Sequence, residues 1–217
     1  MIDFHTHHRG DPKNTIVQSI PYTDLDGMRN GEFYTIGIHP WETDRENIDI
    51  ALHQIIEYAQ HPEVIGIGEV GLDRLRGANL NRQIEIFVKQ ICIVDQIRKP
   101  LIIHCVRAWA ELLEIKKMSK SMVAWAIHGF RGTPELARQL IDRGMYLSFG
   151  AQLVEAAPSL AEAITTVPLD RLFLETDESH TPVEEIYYAA SDILNISMET
   201  LADQIRSNFQ RFFSLPL

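Results

Sequence analysis

Short apolar runs alternate with amphipathic stretches along the whole chain. Positions 2–5, 33–39 (FYTIGIH), 64–70 (VIGIGEV), 101–106 (LIIHCV), 122–128 (MVAWAIH), 145–149 (MYLSF) and 171–176 (RLFLET) read as strands. Positions 15–20 (TIVQSI) are a weaker eighth. Between them, 47–60 carries Ile48, Ala51, Leu52, Ile55 and Ile56 at helical spacing. Positions 81–98 repeat the pattern through Ile84, Phe87, Val88 and Ile91, and Pro100 stops it. Thr133-Pro134-Glu135 starts a helix with an N-cap, a first-turn proline and an acid near the positive end. Gly144 ends it, and Pro158 and Ser197 open others.

Strands alternating with helices predict βα units around a parallel sheet. One stretch does not fit a regular barrel. Only 24 residues, positions 9–32, separate the first strand from Phe33. Two crossover helices and a strand need more chain than that. The expectation is therefore a (β/α)8 TIM-like barrel, distorted and shortened near the N-terminus, forming a single domain over 1–217.

Composition narrows the class. The 217 residues are 45% hydrophobic and 23% charged, which excludes a disordered chain. No run of 18 apolar residues exists, so no transmembrane helix is expected. The start, MIDFHTHHRGD, has no basic segment followed by an apolar one, so no secretory leader is expected. Cys92 and Cys105 are too few for a disulfide framework, and a reducing cytoplasm is the default. Twenty basic against thirty acidic residues give −10. That argues against charge-driven adhesion to nucleic acid or membranes, but not against an anion held at a metal.

The polar residues inside the apolar runs carry the chemistry. His5 and His7 end the first strand, His39 ends the second and Glu69 lies late in the next. His104, His128 and Asp177 end three more. In a (β/α) barrel such ends converge on the face where active sites sit. His5 and His7, two apart, point to one side of an extended chain and can share an ion. Alone, each histidine reads as well as a satisfied core residue, and Glu69 in an apolar run needs a partner or a metal. As a set, His5, His7, Glu69, His104, His128 and Asp177 form a ligand group for two divalent ions if one carboxylate bridges. Two ions, two carboxylates and a hydroxide leave a site near +1, suited to an anionic transition state. Cys105 should face away from His104 as a buried thiol. No GxSxG motif, Walker loop or working dinucleotide fingerprint appears.

These residues stand in motifs. DFHTHH opens the chain, followed by GIHPW at 37–41 and IGEVGLD at 67–73. Gln83, Phe87 and Gln90 follow, then PLIIH at 100–104, HGF at 128–130, GMYLSFG at 144–150, LFLETD at 172–177 and Asn208. In this order they resemble the TatD-type deoxyribonuclease family, a metal-dependent branch of the amidohydrolase superfamily. The resemblance implies that His5 and His7 hold one ion, His104 and His128 the second, and that Glu69 bridges. Asp177 would bind the first ion and orient or deprotonate the attacking water. It implies catalytic roles for Asp177 and Glu69, Mg²⁺, Mn²⁺ or Zn²⁺ as the two ions, and attack by metal-bound hydroxide on a phosphodiester, near a DNA 3′ end.

The chain departs from the family in its loops. The family's HSRDA-like stretch reads HCVRAW, keeping Arg107 and losing the acid. HCFSG reads HGFRG, which introduces Arg131. The basic piece after LETD is replaced by ESHTPVEEIYY. The ligand set is intact and the substrate loops are changed. A small phosphoester, lactone or amide is therefore the alternative substrate, and a non-catalytic metal-binding module is a third reading. No membrane and no obligate protein partner are expected. His39 and Arg107 are the substrate-binding candidates; a loop cap and a salt bridge are their plainer alternatives. Asp73, Arg74, Arg131, His180, Trp41 and Trp109 are secondary, each with a structural reading beside the functional one.

Overall fold

The computed structural model describes residues 1–9, 11, 13–23 and 27–215. Eight strands appear where eight were expected: β1 (Ile2–Thr6), β2 (Thr15–Pro21), β3 (Phe33–Gly37), β4 (Val64–Asp73), β5 (Leu101–Val106), β6 (Trp125–Ile127), β7 (Tyr146–Phe149) and β8 (Leu172–Leu174). They form one sheet in sequence order, β1 to β8, with β1–β2, β3–β4, β4–β5 and β7–β8 paired in parallel, which is the (β/α)8 TIM-like arrangement. Seven α-helices are described: α1 (Ile48–Tyr58), α2 (Leu80–Ile97), α3 (Trp109–Met118), α4 (Pro134–Asp142), α5 (Pro158–Thr165), α6 (Val183–Leu194) and α7 (Met198–Phe213). Among the described residues no helix stands between β1 and β3, so the N-terminal shortening is real. Two helices, α3 and α6, lie where the apolar periodicity was not singled out. β6 begins three residues later than its apolar run, because Met122 is 95% exposed and lies before the strand. No described helix is long and apolar enough to cross a membrane.

The chain forms two compact units, Met1–Gln18 with Ile127–Leu217, and Ser19–Ala126. The core of the first is aromatic. Phe4 of β1 stacks on Phe173 of β8 at 3.9 Å between ring centroids, and Phe212 of α7 meets Phe4, Phe173 and Tyr146 edge-on. Asn208, buried on the same helix, donates to the carbonyls of Leu169 and Leu172 at 2.7 and 2.9 Å and fixes the start of β8. The Tyr187 hydroxyl of α6 donates to the Ile2 carbonyl at 2.9 Å and ties down β1.

In the second unit the glycines of β4 decide how closely strands approach. A Cβ on Gly68 would lie 2.8 Å from Ile102 Cβ. One on Gly71, whose φ is +135°, would lie 2.1 Å from the His104 carbonyl oxygen. Helix α2, capped by the Asn79 side chain, presents Gln83 and Gln90 inward, two turns apart. Gln83 accepts from the Asp73 N–H at 2.7 Å and donates to the carbonyls of Asp73, Arg76 and Ala78. Gln90 accepts from the Ile38 N–H at 2.8 Å and donates to its carbonyl. The two amides therefore hold the backbone where β4 ends and where His39 begins its turn.

Replacing Gln83 with Leu leaves a buried N–H and several carbonyls without their partner, which costs about 2–4 kcal/mol. Urea unfolding measures it; a change below about 0.5 kcal/mol would show that the amide does not hold this loop.

Candidate metal centre

In the first unit the site begins with an irregularity in β1. Asp3 pairs with Ile16 and Thr6 with Gln18, three residues against two. The extra residue on β1 falls between Asp3 and Thr6, the stretch that carries His5, and such a bulge re-aims the side chains beside it. The chain after β8 is stitched to the same strand. The Asp177 N–H donates to the His5 carbonyl at 2.9 Å, and the His7 N–H donates to the Asp177 carbonyl at 3.1 Å. Asp177 adopts φ +56°, uncommon for a side-chain-bearing residue and frequent at functional turns. Its Oδ1 lies 3.8 Å from His5 Nε2 and 3.6 Å from His7 Nε2. His5 is fully buried and His7 about a third exposed, so the carboxylate and two imidazoles open from the interior toward solvent.

His128, just after β6, lies with its ring centroid 4.4 Å from that of His5. Its Nδ1 is 3.5 Å from Glu175 Oε1. Glu175 was not singled out from the sequence. It is fully buried and accepts from the Gly129 N–H. Burial pushes its carboxyl up, but the hydrogen bond from His128 and the charges of His128 and His5 outweigh this and hold it below the ordinary glutamate range. Asp3 was missed as well. Its two oxygens accept from the N–H and hydroxyl of Thr176 at 2.9 and 2.7 Å. Both were legible by period two: Asp3 precedes His5 by two, and Glu175 precedes Asp177 by two.

The second unit carries its own group. β4 bulges at the ligand: Ile67 pairs with Leu101 and Val70 with Ile103, again three against two, bracketing Glu69. Glu69 Oε2 is 3.4 Å from both His39 Nε2 and His104 Nδ1. His39 caps a short 3₁₀ turn, its Nδ1 accepting from the Trp41 N–H at 3.2 Å. In the neutral ring the proton then sits on Nε2, so His39 donates to Glu69 rather than offering a lone pair to an ion. His104 is held from its other side, with Nε2 3.4 Å from Asp73 Oδ2. Asp73 accepts in turn from Trp41 Nε1 at 2.6 Å and from the Leu75 N–H at 2.8 Å. Burial raises its pKa, but these donors and His104 pull it below the ordinary aspartate value. A carboxylate on one imidazole nitrogen fixes the ring so that the other is aimed at the site, the usual support for a metal-binding histidine.

The donor sets suit a divalent cation. Ligand atoms of His5, His7 and Asp177, of His128, Glu175 and Asp177, and of His39, Glu69 and His104 lie within 4.8 Å of one another in each group. Fully buried Glu175 keeps one oxygen, Oε2, with no hydrogen-bond partner. The remaining candidates take plain positions. Arg107 is exposed, with φ +53°, and its carbonyl accepts from Arg74 Nε at 2.8 Å. Arg74 pairs with Glu111. Trp41, 40% exposed, carries the Arg76 guanidinium over its ring. His180 stacks on His8 at 4.6 Å. Cys105 is buried, and burial pushes its thiol up to about 12, as expected of an inert core cysteine.

The family model described as TatD related DNase matches residues 23–214. The uncharacterized metal-dependent hydrolase YcfH of Escherichia coli K12 is 29% identical over 208 residues, covering 88% of this chain and 77% of that protein. The 3'-5' ssDNA/RNA exonuclease TatD of Cronobacter turicensis is 32% identical over 151 residues, 68% of this chain and 57% of that one. Among solved structures, the YJJV TatD homologue from Escherichia coli K12 has a TM-score of 0.86 at 20% identity, covering 99% of this chain and 98% of its own.

Asp3 generates a pH prediction. Burial, partly offset by Thr176, raises its pKa from 3.8 to about 7. The folded chain then holds the proton more tightly than the unfolded one. The stability this contributes is complete below the unfolded value and is lost as pH rises through about 7. Chelator-treated protein should lose thermal stability from about pH 5 to about pH 8 by an amount that Asp3→Asn removes. Parallel melting curves for the two proteins across that range would contradict the assignment.

Proposed function

The chain belongs to the TatD family of metal-dependent hydrolases, and from that premise we propose that it cleaves phosphodiesters, acting on the 3′ end of single-stranded nucleic acid. The observation that carries this reading is the gathering of imidazoles and carboxylates at the C-terminal ends of β1, β6 and β8 in one unit, and of β3, β4 and β5 in the other. A strand-end location is where (β/α)8 enzymes keep their chemistry. The polymer and its polarity are taken from the names of the exonuclease relatives.

Two divalent ions, Mg²⁺, Mn²⁺ or Zn²⁺, are the proposed cofactors, with Glu69 as the bridging ligand that the motif implies. His5, His7 and Asp177 would hold one, and His104 and His128 would serve the other. Bound there, divalent ions lower the pKa of a coordinated water and neutralise charge on a phosphate. The protein's own groups do the rest. Asp177 orients the attacking water and accepts its proton. His39 donates to Glu69 and orients that carboxylate. Asp73 fixes the His104 ring through Nε2. Arg107, exposed after β5 and with no ion-pair partner among the described residues, offers a bidentate guanidinium to a nonbridging oxygen. Trp41 supplies an exposed ring on which a base can stack. Free Cys92 and buried Cys105 accord with a reducing cytoplasm as the working compartment.

Hydrolysis of end-labelled single-stranded DNA by metal-reconstituted protein tests this reading, with Glu69→Ala as the matched control. Stepwise shortening from the 3′ end is expected, together with a loss of at least about a hundredfold in the variant. Intact DNA with fully metallated wild-type protein would overturn the nuclease assignment.

A further inference from the structure

A cavity of about 120 Å³ opens beside Asp177 in the first unit. Its walls come from three segments: Gly129 and Arg131 after β6, Gly150 and Gln152 after β7, and the stretch from Glu175 to Ser179 after β8. Pockets for drug-sized ligands run to roughly 300–1,000 Å³, so this one accepts a single small group and not a nucleoside. Gly150 keeps it open, since a Cβ there would crowd the end of the Gln152 amide at 3.2 Å.

Arg131 is the only cation in this lining. With its amide in the orientation that satisfies both of its ends, Gln152 presents its oxygen to the guanidinium and accepts from Nε at 3.2 Å and from a terminal nitrogen. A neutral amide thus orients the group without compensating its charge. Among the described residues no carboxylate lies within ion-pair distance of Arg131, although Glu175, Asp177 and Glu178 line the same cavity. Glu175 is engaged by the Gly129 N–H and His128, and Asp177 faces His5 and His7. The cavity therefore holds, in one lining, a guanidinium oriented by a neutral amide and the carboxylate assigned to the water.

We propose that Arg131 is a substrate-contacting residue that grips the phosphoryl group under attack. The inference rests on the hydrolytic reading of this site and deepens it. A group of phosphoryl size is what the volume admits, and paired nonbridging oxygens are what a guanidinium matches. In the reaction a water oxygen bonds to phosphorus and the bond from phosphorus to the leaving oxygen breaks. One water proton passes to Asp177 and then to the leaving alkoxide. Arg131 exchanges no atoms; it neutralises charge on the nonbridging oxygens as the bonds change. A planar carboxylic ester, lactone or amide has one such oxygen and uses the fork poorly.

The test compares wild type, Arg131→Gln and Arg131→Lys, each loaded with the same metal and assayed for metal content. Binding of inorganic phosphate is measured by calorimetry, and kcat and KM on bis(p-nitrophenyl) phosphate in parallel. Arg131→Gln should weaken phosphate binding about tenfold or more and lower kcat, with metal content unchanged, and Arg131→Lys should recover part of both. Phosphate affinity within about twofold of wild type in the Gln variant overturns the inference, as does a wild type that binds no phosphate. The two readings fail separately. Phosphate binding that depends on Arg131 in a protein inert toward phosphodiesters leaves the anion site standing and removes the nuclease reading. Normal phosphodiester cleavage by Arg131→Gln does the reverse.

Discussion

A carboxylate or imidazole withdrawn from water must be paired, hydrogen-bonded or bound to a cation, or it destabilises the fold by several kcal/mol. Glu69, Asp3 and His5 are buried within strands, and Glu175 and His128 are buried just after strands, among largely apolar neighbours. Everything around them answers that constraint. Gly129 and Thr176 donate backbone N–H groups to Glu175 and Asp3, and His39 and His104 face Glu69. What these partners leave unsatisfied is ligand capacity, gathered within 4.8 Å in each group.

The fold positions the groups by local means. Both strands that bear early ligands, β1 and β4, carry one extra residue in the short stretch that holds the ligand. A bulge lets a strand keep its hydrogen bonds on either side while turning one side chain into the site. Support then comes from behind. Gln83 clamps the backbone of Asp73, Asp73 holds His104, and Trp41 holds Asp73, a chain running from helix α2 to a ligand. In the other unit the stacked Phe4 and Phe173 fix β1 beside β8, so Asp177 can be stitched to His5 and His7 through the backbone.

Much of this was readable in the chain because apolar runs buried on both faces announce parallel strands. All eight strands were found, and the short span before Phe33 disclosed the missing early helices. Two things were less visible. The helices α3 and α6 were passed over: α3 buries only Leu112, so its apolar face is narrow, and α6 starts after Pro182 with no side-chain cap to mark it. Glu175 and Asp3 stood at period two from recognised residues, yet each was masked by the motif's more familiar members. Bulges also hide from a reading by alternation, since the extra residue breaks the period at the very position that matters. Glu69 stands out as an acid among apolar neighbours and as the bridging ligand that the motif implies, but alternation does not give the direction of its side chain.

The ligand set His5, His7, Glu69, His104, His128 and Asp177 is proposed to hold two ions. Metal content per chain after reconstitution and gel filtration, read by plasma mass spectrometry on wild type, His7→Ala and His104→Ala, tests it most directly. About two ions are expected in the wild type and about one in each variant, since His7 serves one ion and His104 the other. Equal metal content in all three proteins, or none in the wild type, would contradict it.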